Sequence, residues 1–460
     1  MYCPSSDRPV AGDQPWWRAA GLLLALMAVA TVGCDRAFVD VSEPEIEIVE
    51  PDVDEAAINP QTTVRVRASS FRPIDRVEVD DQLMDFNPTS RLWSYTLDLS
   101  TGVNEIVIAA FDIEGVAGRD TLVLPYLPTS FNIAPIALPS AVGNHSSVLM
   151  ANGDILVTGG SLTPDGEALA GAATLTPGGL TSEAVAAPMI HQRVGHTMAT
   201  TPDGGVLIVG GADRGRIVDV LSLIEEPELY DPSARTFRAI PMSGDPIRRA
   251  EHTMSTRQTA TGFFIDLFGG VGDIRYGSAP ELGIRDDVRT FEFRNDSLIA
   301  LSPGVGGFLS DPISGHTAAS LTLRTDRAAD RYLLHGTYFG NGFVESSSFT
   351  VDFADPLGLL PIETEPMLAP RTQHASAPLA PGLVATFGGV QGEGGPAVGS
   401  VEVYIDRSRR FLRLPVQSPF LIRSRHTATK LADNRILLIG GFDANGNSLS
   451  LVEYFVFSAQ

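Results

Sequence analysis

Beyond residue 34 the chain has no cysteine, since Cys3 and Cys34 are its only two. The folded part therefore holds no disulfide and no thiolate metal site. Lysine is nearly as scarce: Lys430 stands alone in a protein of formal charge −22. Nucleic-acid binding needs clustered cations that release counterions from the polymer, and this charge balance argues against such a partner. No apolar run reaches the roughly 20 residues that a membrane-spanning helix requires. A G-x-S-x-G elbow, a phosphate loop and an H-E-x-x-H pair are also missing, so no catalytic residue, cofactor or metal site is assigned.

Glycine and proline, by contrast, are plentiful, at 45 and 32 residues, and only 19% of the chain is charged. Many tight turns between short apolar segments predict an all-β protein.

The N-terminus reads as an address. Ala19 to Val32 is an uncharged apolar run behind Arg18, and it ends at Gly33-Cys34. That length suits the apolar region of a signal peptide. The stretch TVGC resembles the lipobox of bacterial lipoproteins, with Thr31 where an aliphatic residue is usual. The resemblance implies cleavage after residue 33, diacylglycerol on the Cys34 thiol and an acylated (palmitate-type) new terminus, hence a lipid anchor in a membrane of the bacterial cell envelope, periplasmic or at the surface. The plain alternative is a secretory signal with an incidental cysteine. Residues 1–33 are thus expected to be the signal peptide and 34–41 a lipidated acidic linker. Acids dominate from Asp35 to Glu55, and a solvated spacer is expected there.

From residue 42 to 128 short alternating segments follow one another, among them TTVRVRA, LWSYTLDL and NEIVIAAFD. Every second side chain of each can face a core, which predicts an antiparallel sandwich. The segment VNEIVIAAFDIEG resembles bacterial immunoglobulin-like domains. Trp93 is expected in the core.

Residues 131–460 carry a repeat. His145, His196, His252, His316, His374 and His426 are spaced by 51, 56, 64, 58 and 52 residues, and five of them are followed by a Gly-Gly pair. In the fourth repeat His335-Gly336 takes the place of that pair. Copies such as RVGHTMATTPDGGVLIVGG read as a hairpin whose second, apolar strand ends at the glycines, and two further strands follow, as in ELYDP and at Phe237 or Phe411. Four-stranded units near this period resemble kelch repeats, whose sheets are the blades of a propeller. The resemblance implies six blades. FNIAPIALP at the start matches a fourth strand, and LVEYFVFSAQ at the end matches a third, so the first segment should complete the last blade. The expected architecture is an all-β chain: a six-bladed kelch-like β-propeller preceded by a small immunoglobulin-like β-sandwich, monomeric.

The registered histidines lie one per repeat on a ring, which suits hydrogen bonds between blades better than convergence on one ion. DANGN at Asp443 suits a turn. Some kelch-like propellers resemble galactose oxidase, whose tyrosine–cysteine cofactor has no counterpart in a mature chain whose single cysteine is Cys34. Arg193, Arg249, Arg371 and Arg423 each stand three residues before a registered histidine. Two roles fit them: pairing with a carboxylate or carbonyl of a blade, or bidentate binding of a ligand carboxylate or sulfate at the channel mouth. The function expected is that of an interaction module that binds an envelope protein or a polysaccharide through one face of the propeller. A carbohydrate-processing enzyme with its site at the channel mouth is the alternative.

Overall fold

The computed structural model of the chain describes residues 42–458 other than 277–278, 302–306, 310, 322–330, 340–342, 353–360, 393–394, 417 and 419. The signal-peptide and lipidation expectations, Cys34 included, lie outside the described residues. The protein is all-β. Among the described residues one helical turn, the 3-10 segment Val220–Ser222, interrupts the strands.

Two four-stranded sheets come first. One orders Glu45–Glu50, Gln61–Ser69, Leu92–Asp98 and Asp85–Asn87; the other orders Gln82–Leu83, Ile74–Val79, Gly102–Asp112 and Ala117–Tyr126. Their alternate residues Val64, Val66, Val77, Val79, Ile106, Ile108, Leu122 and Leu124 fill one core, as a period of two demands. Trp93 is partly buried against that core. The acidic stretch is thus no free spacer along its whole length: Glu45–Glu50 is a strand, and Asp54 and Glu55 meet Arg410 and Arg413.

The repeats build a series of small antiparallel sheets. The second is typical, with Thr197–Thr200, Val206–Val209, Glu228–Asp231 and Thr236–Ala239 paired in sequence order. Its second strand is buried at every position, which is why that segment reads as an unbroken apolar run. Sheets of the same order start at Ser146–Leu149, Thr317–Ser320 and Ala375–Ala380. The third, which starts at Thr253–Gln258, gains Met242–Ser243 beside its last strand, and an extra hairpin, Val271–Tyr276 with Ala279–Ile284, stands over it. In the last sheet Thr427–Lys430, Arg435–Ile439 and Leu451–Phe457 are followed by Thr129–Ala137 from the other end of the repeats, antiparallel to Leu451–Phe457.

The first strand of each sheet lies against the first strand of the next, and Thr427–Lys430 returns to Ser146–Leu149, so the row closes on itself. Apolar faces of neighbouring sheets share cores. Ile155, Val157 and Leu175 of the first sheet pack with Leu437, Ile439 and Val452 of the last.

The glycine pairs let the next repeat come close. Gly159 has φ 65°, and a Cβ there would stand 2.4 Å from the carbonyl oxygen of Arg193 and 2.7 Å from Cε1 of His196. Gly336 does the same for the fourth repeat, where a Cβ would meet His374 Cε1 at 2.4 Å. Thr337 follows it, and the strand register shifts between His335 and Thr337.

Candidate functional site

The four arginines three residues before the histidines are buried, with at most 1% exposure. Each points across its own sheet toward the third strand. Arg193 donates to Glu228 (Nη2–Oε1 2.8 Å) and to the carbonyl of Gly210 (2.7 Å). Arg371 pairs with Glu402 and bonds the carbonyl of Gly388 (3.2 Å). Arg423 pairs with Glu453 and bonds the carbonyl of Gly440 (3.2 Å). Arg249 donates to both carboxylate oxygens of Asp287 (3.2 and 3.0 Å) and to the carbonyl of Gly269 (3.1 Å).

Of the two roles that fit Arg193, Arg249, Arg371 and Arg423, this geometry is that of pairing with a carboxylate and a carbonyl of the blade. Desolvation lowers the pKa of each from the usual arginine value, outweighing the carboxylates beside Arg193, Arg249 and Arg371. A signal for this was present in the chain. Where the arginine position holds Val142 or Ile313, the opposing strand position lacks the acid: Val157 faces Ala173, and Leu334 faces Phe349.

The histidines form a second layer. Nε2 of His252 meets Thr197 Oγ1 at 2.9 Å, His316 meets Thr253 at 2.8 Å, His374 meets Thr317 at 2.9 Å and His145 meets Thr427 at 3.2 Å. Each hydroxyl belongs to the residue directly after the preceding repeat's histidine, so the bonds run from sheet to sheet around the ring. His196 uses Thr158 instead, at 2.8 Å. At His426 the matching position is Ala375, and Nε2 finds no partner among the described residues. Burial keeps the ring neutral. The pKa of His145 falls to about 4 and those of His316 and His335 to about 3, because the imidazolium loses its water.

One residue before each registered histidine the backbone turns left-handed. Asn144, Gly195, Glu251, Gly315, Gln373 and Arg425 have φ between 53° and 60°. Their main chains bond in sequence: Asn144 N–H to Arg425 O (3.0 Å), Gly195 to Asn144 (3.3 Å), Glu251 to Gly195 (2.8 Å), Gln373 to Gly315 (2.9 Å) and Arg425 to Gln373 (2.8 Å). These residues gird the central opening. Inside lies a cavity of about 220 Å3 lined by the six histidines and the left-handed residues.

Outside, among the loops that join second to third strands, is a second cavity of about 220 Å3, lined by Asp165, Arg216, Glu251, Thr372, Gln373 and Arg425 among others. Arg425 is steadied by Asn144 Oδ1 (3.0 Å) and the Pro164 carbonyl (2.8 Å). The side chains of Glu251, Gln373 and Arg216 have no hydrogen-bond partner among the described residues and stay open to solvent. Mixed charge, a free amide and a concave floor suit hydrogen-bonded capture of a polar group. This position, one before the histidine, was missed by sequence reasoning, although its variation from repeat to repeat beside an invariant histidine marks it.

Asp443 holds a turn, its Oδ1 accepting from the N–H groups of Asn445 (2.8 Å) and Asn447 (2.9 Å). Off the register, His191 pairs with Glu226 at the surface (2.8 Å), while His335 is buried and bonds Thr386 (2.7 Å).

Neither a protein-family model nor a curated protein matches the chain. Among solved structures it is similar to YjhT, a kelch-like β-propeller, with TM-score 0.52 and 13% identity over 69% of this chain and 96% of that one. A fungal alcohol oxidase of the AA5 family, solved with copper, aligns at TM-score 0.48 and 13% identity over 90% of this chain and 76% of its own, too slight a likeness to carry weight. The likeness to YjhT is one of fold, and the class it defines is an all-β, propeller-like protein.

Proposed function

We propose that this chain is an envelope lipoprotein, anchored through Cys34, whose repeats form a six-bladed kelch-like propeller behind an immunoglobulin-like domain, and that it captures a protein or polysaccharide at the mouth of the central opening. The observation that carries this reading is the convergence of Arg216, Glu251, Gln373 and Arg425 on one concave face, with free donors and acceptors supplied from different repeats. Loops that vary over a regular scaffold are where binding resides. Pairing of the last sheet with Thr129–Ala137 covers the edge that Leu451–Phe457 would otherwise present for self-association, which supports a monomer.

The test is capture from envelope fractions by the protein from residue 35 onward, compared with a Glu251→Ala, Gln373→Ala double variant. A partner bound by the parent and lost from a variant that melts normally is the expected result; equal capture by both rejects the mouth. Membrane fractionation of Cys34→Ala tests the anchor, and unchanged sedimentation with the membranes rejects it. Because Asp165 and Glu251 both line the mouth, carbohydrate processing is the second reading. Turnover of a glycan that stops in Glu251→Gln would replace capture by catalysis.

A further inference from the structure

The third repeat reverses a charge that its relatives keep. In the second, fifth and sixth sheets the third-strand residue that pairs two positions before the first glycine is an acid: Ile208 faces Glu228, Thr386 faces Glu402 and Leu438 faces Glu453. In the third sheet Leu267 faces Arg289. The acid that receives Arg249 has moved to Asp287, and Asp287 already accepts a bidentate pair from Arg285 (2.7 and 2.9 Å). Two guanidinium groups thus share one carboxylate. Arg289 donates to the main-chain carbonyls of Pro246 and Asp245, at 2.9 Å each, lies over the Phe291 ring (4.9 Å to its centroid) and has no carboxylate in ion-pair range among the described residues.

Around these groups opens a pocket of about 290 Å3, walled by Arg248, Arg249, Arg285 and Arg289 with Asp245 and Asp273. Asp273 is engaged by Arg248 at the rim (3.5 Å), which also pairs with Glu225 (2.5 Å). At the wall, Arg249 and Arg285 therefore share Asp287, and Asp245 and Asp273 are the pocket's other acids. The crowding registers in titration: Arg285 and Arg249, outweighing the cost of burial, hold Asp287 at about 2, and burial lowers Arg289. Arg289 thus brings into this concavity a guanidinium with no ion pair of its own among the described residues.

We propose that this pocket is a binding site for an oxyanion, a carboxylate or sulfate group, held by Arg289 and Arg285 with Arg248 at the rim. A guanidinium fork matches the spacing of two oxyanion oxygens, and none of the lining residues is aromatic or large and apolar, so charge and hydrogen bonds select the ligand. The site is separate from the channel mouth and stands whether or not the mouth captures a partner.

Calorimetric titration of the whole protein with sodium sulfate, sodium glucuronate and glucose, at ionic strength held constant with sodium chloride, tests it. Saturable binding of sulfate or glucuronate, with none of glucose, is expected; sulfate alone would assign a tetrahedral group and glucuronate alone a sugar carboxylate. Arg289→Gln should weaken that binding roughly ten- to a hundredfold, as loss of a charged donor pair does. Should Arg289→Gln fail to fold, Arg248→Gln should weaken binding at least about threefold, because the rim then loses a cation. Absence of saturable binding to the parent, or unchanged affinity in a folded variant, overturns the proposal. Glu251→Ala at the mouth should leave oxyanion affinity unchanged, which keeps a failure here distinct from a failure there.

Discussion

Arg423 and Arg425 sit two residues apart and do opposite things. Arg423 is sealed in the sixth sheet against Glu453 and the Gly440 carbonyl, while Arg425 lies half-buried at the mouth against Asn144 and Pro164. In an extended strand, residues two apart share a face. The left-handed turn at Arg425, φ 53°, breaks that rule and swings its side chain toward the opening. Where a charge ends up in this ring is decided by one backbone dihedral, repeated in every sheet.

The buried layer and the mouth should therefore separate under perturbation. Acid has the largest expected effect. An unfolded histidine takes up a proton near its ordinary pKa of 6.5, whereas His145 resists to about 4 and His316 and His335 to about 3 when folded. Folded pKa values below the unfolded one mean stability that is complete above pH 6.5 and lost as pH falls toward 4 and 3. Between pH 7 and 5 each of these histidines should remove about 2 kcal/mol from the unfolding free energy. Urea midpoints measured across that range check this, and a flat profile would show that the ring histidines are hydrated.

Substitution gives the next largest difference. Arg423→Ala strands Glu453 as a buried charge and should cost about 3–5 kcal/mol, whereas Arg425→Ala should cost less than about 1 kcal/mol. Equal losses in chemical denaturation would abolish the distinction between the two positions. The smallest effect sharpens the histidine layer. Ala375→Ser places a hydroxyl where the other repeats have Ser146, Thr197, Thr253, Thr317 and Thr427, and a bond to His426 should add about 1 kcal/mol. No gain would mean that His426 does not reach its neighbour's first strand as His145, His252, His316 and His374 do.

Much of this was legible beforehand. Glycine pairs following histidines at regular intervals located the hairpins, and the match of FNIAPIALP to a fourth strand anticipated the pairing of Thr129–Ala137 with Leu451–Phe457. The fate of the arginines was harder to read. The partners Glu228, Glu402 and Glu453 lie 30 to 35 residues downstream, beyond local pattern, although E-L-Y, E-V-Y and E-Y recur in three of the four repeats that carry the arginine. The mouth escaped notice because a residue's direction there depends on φ, which a strand alternation assigns to the wrong face. The hairpin over the third sheet was legible only as a long loop after Gly270, since its pairing with Arg249–Ala250 is tertiary.

The seam between the N-terminal sheets and the repeats carries a mechanical consequence. Ala56 donates to the Arg413 carbonyl (2.8 Å) and Arg413 to that of Asp54 (2.7 Å), while Ala57 donates to the Pro125 carbonyl and accepts from the Leu127 N–H (2.8 Å each). Ala56 and Leu127 are fully enclosed among Leu412, Leu414 and Phe455 of the repeats. A hinge needs a few residues free to rotate, and here the crossing strands are stitched to both sides. The sandwich and the ring should tumble with one rotational correlation time. A partner seated on the loop face would then be held at a fixed angle to the sandwich, as if on a bracket.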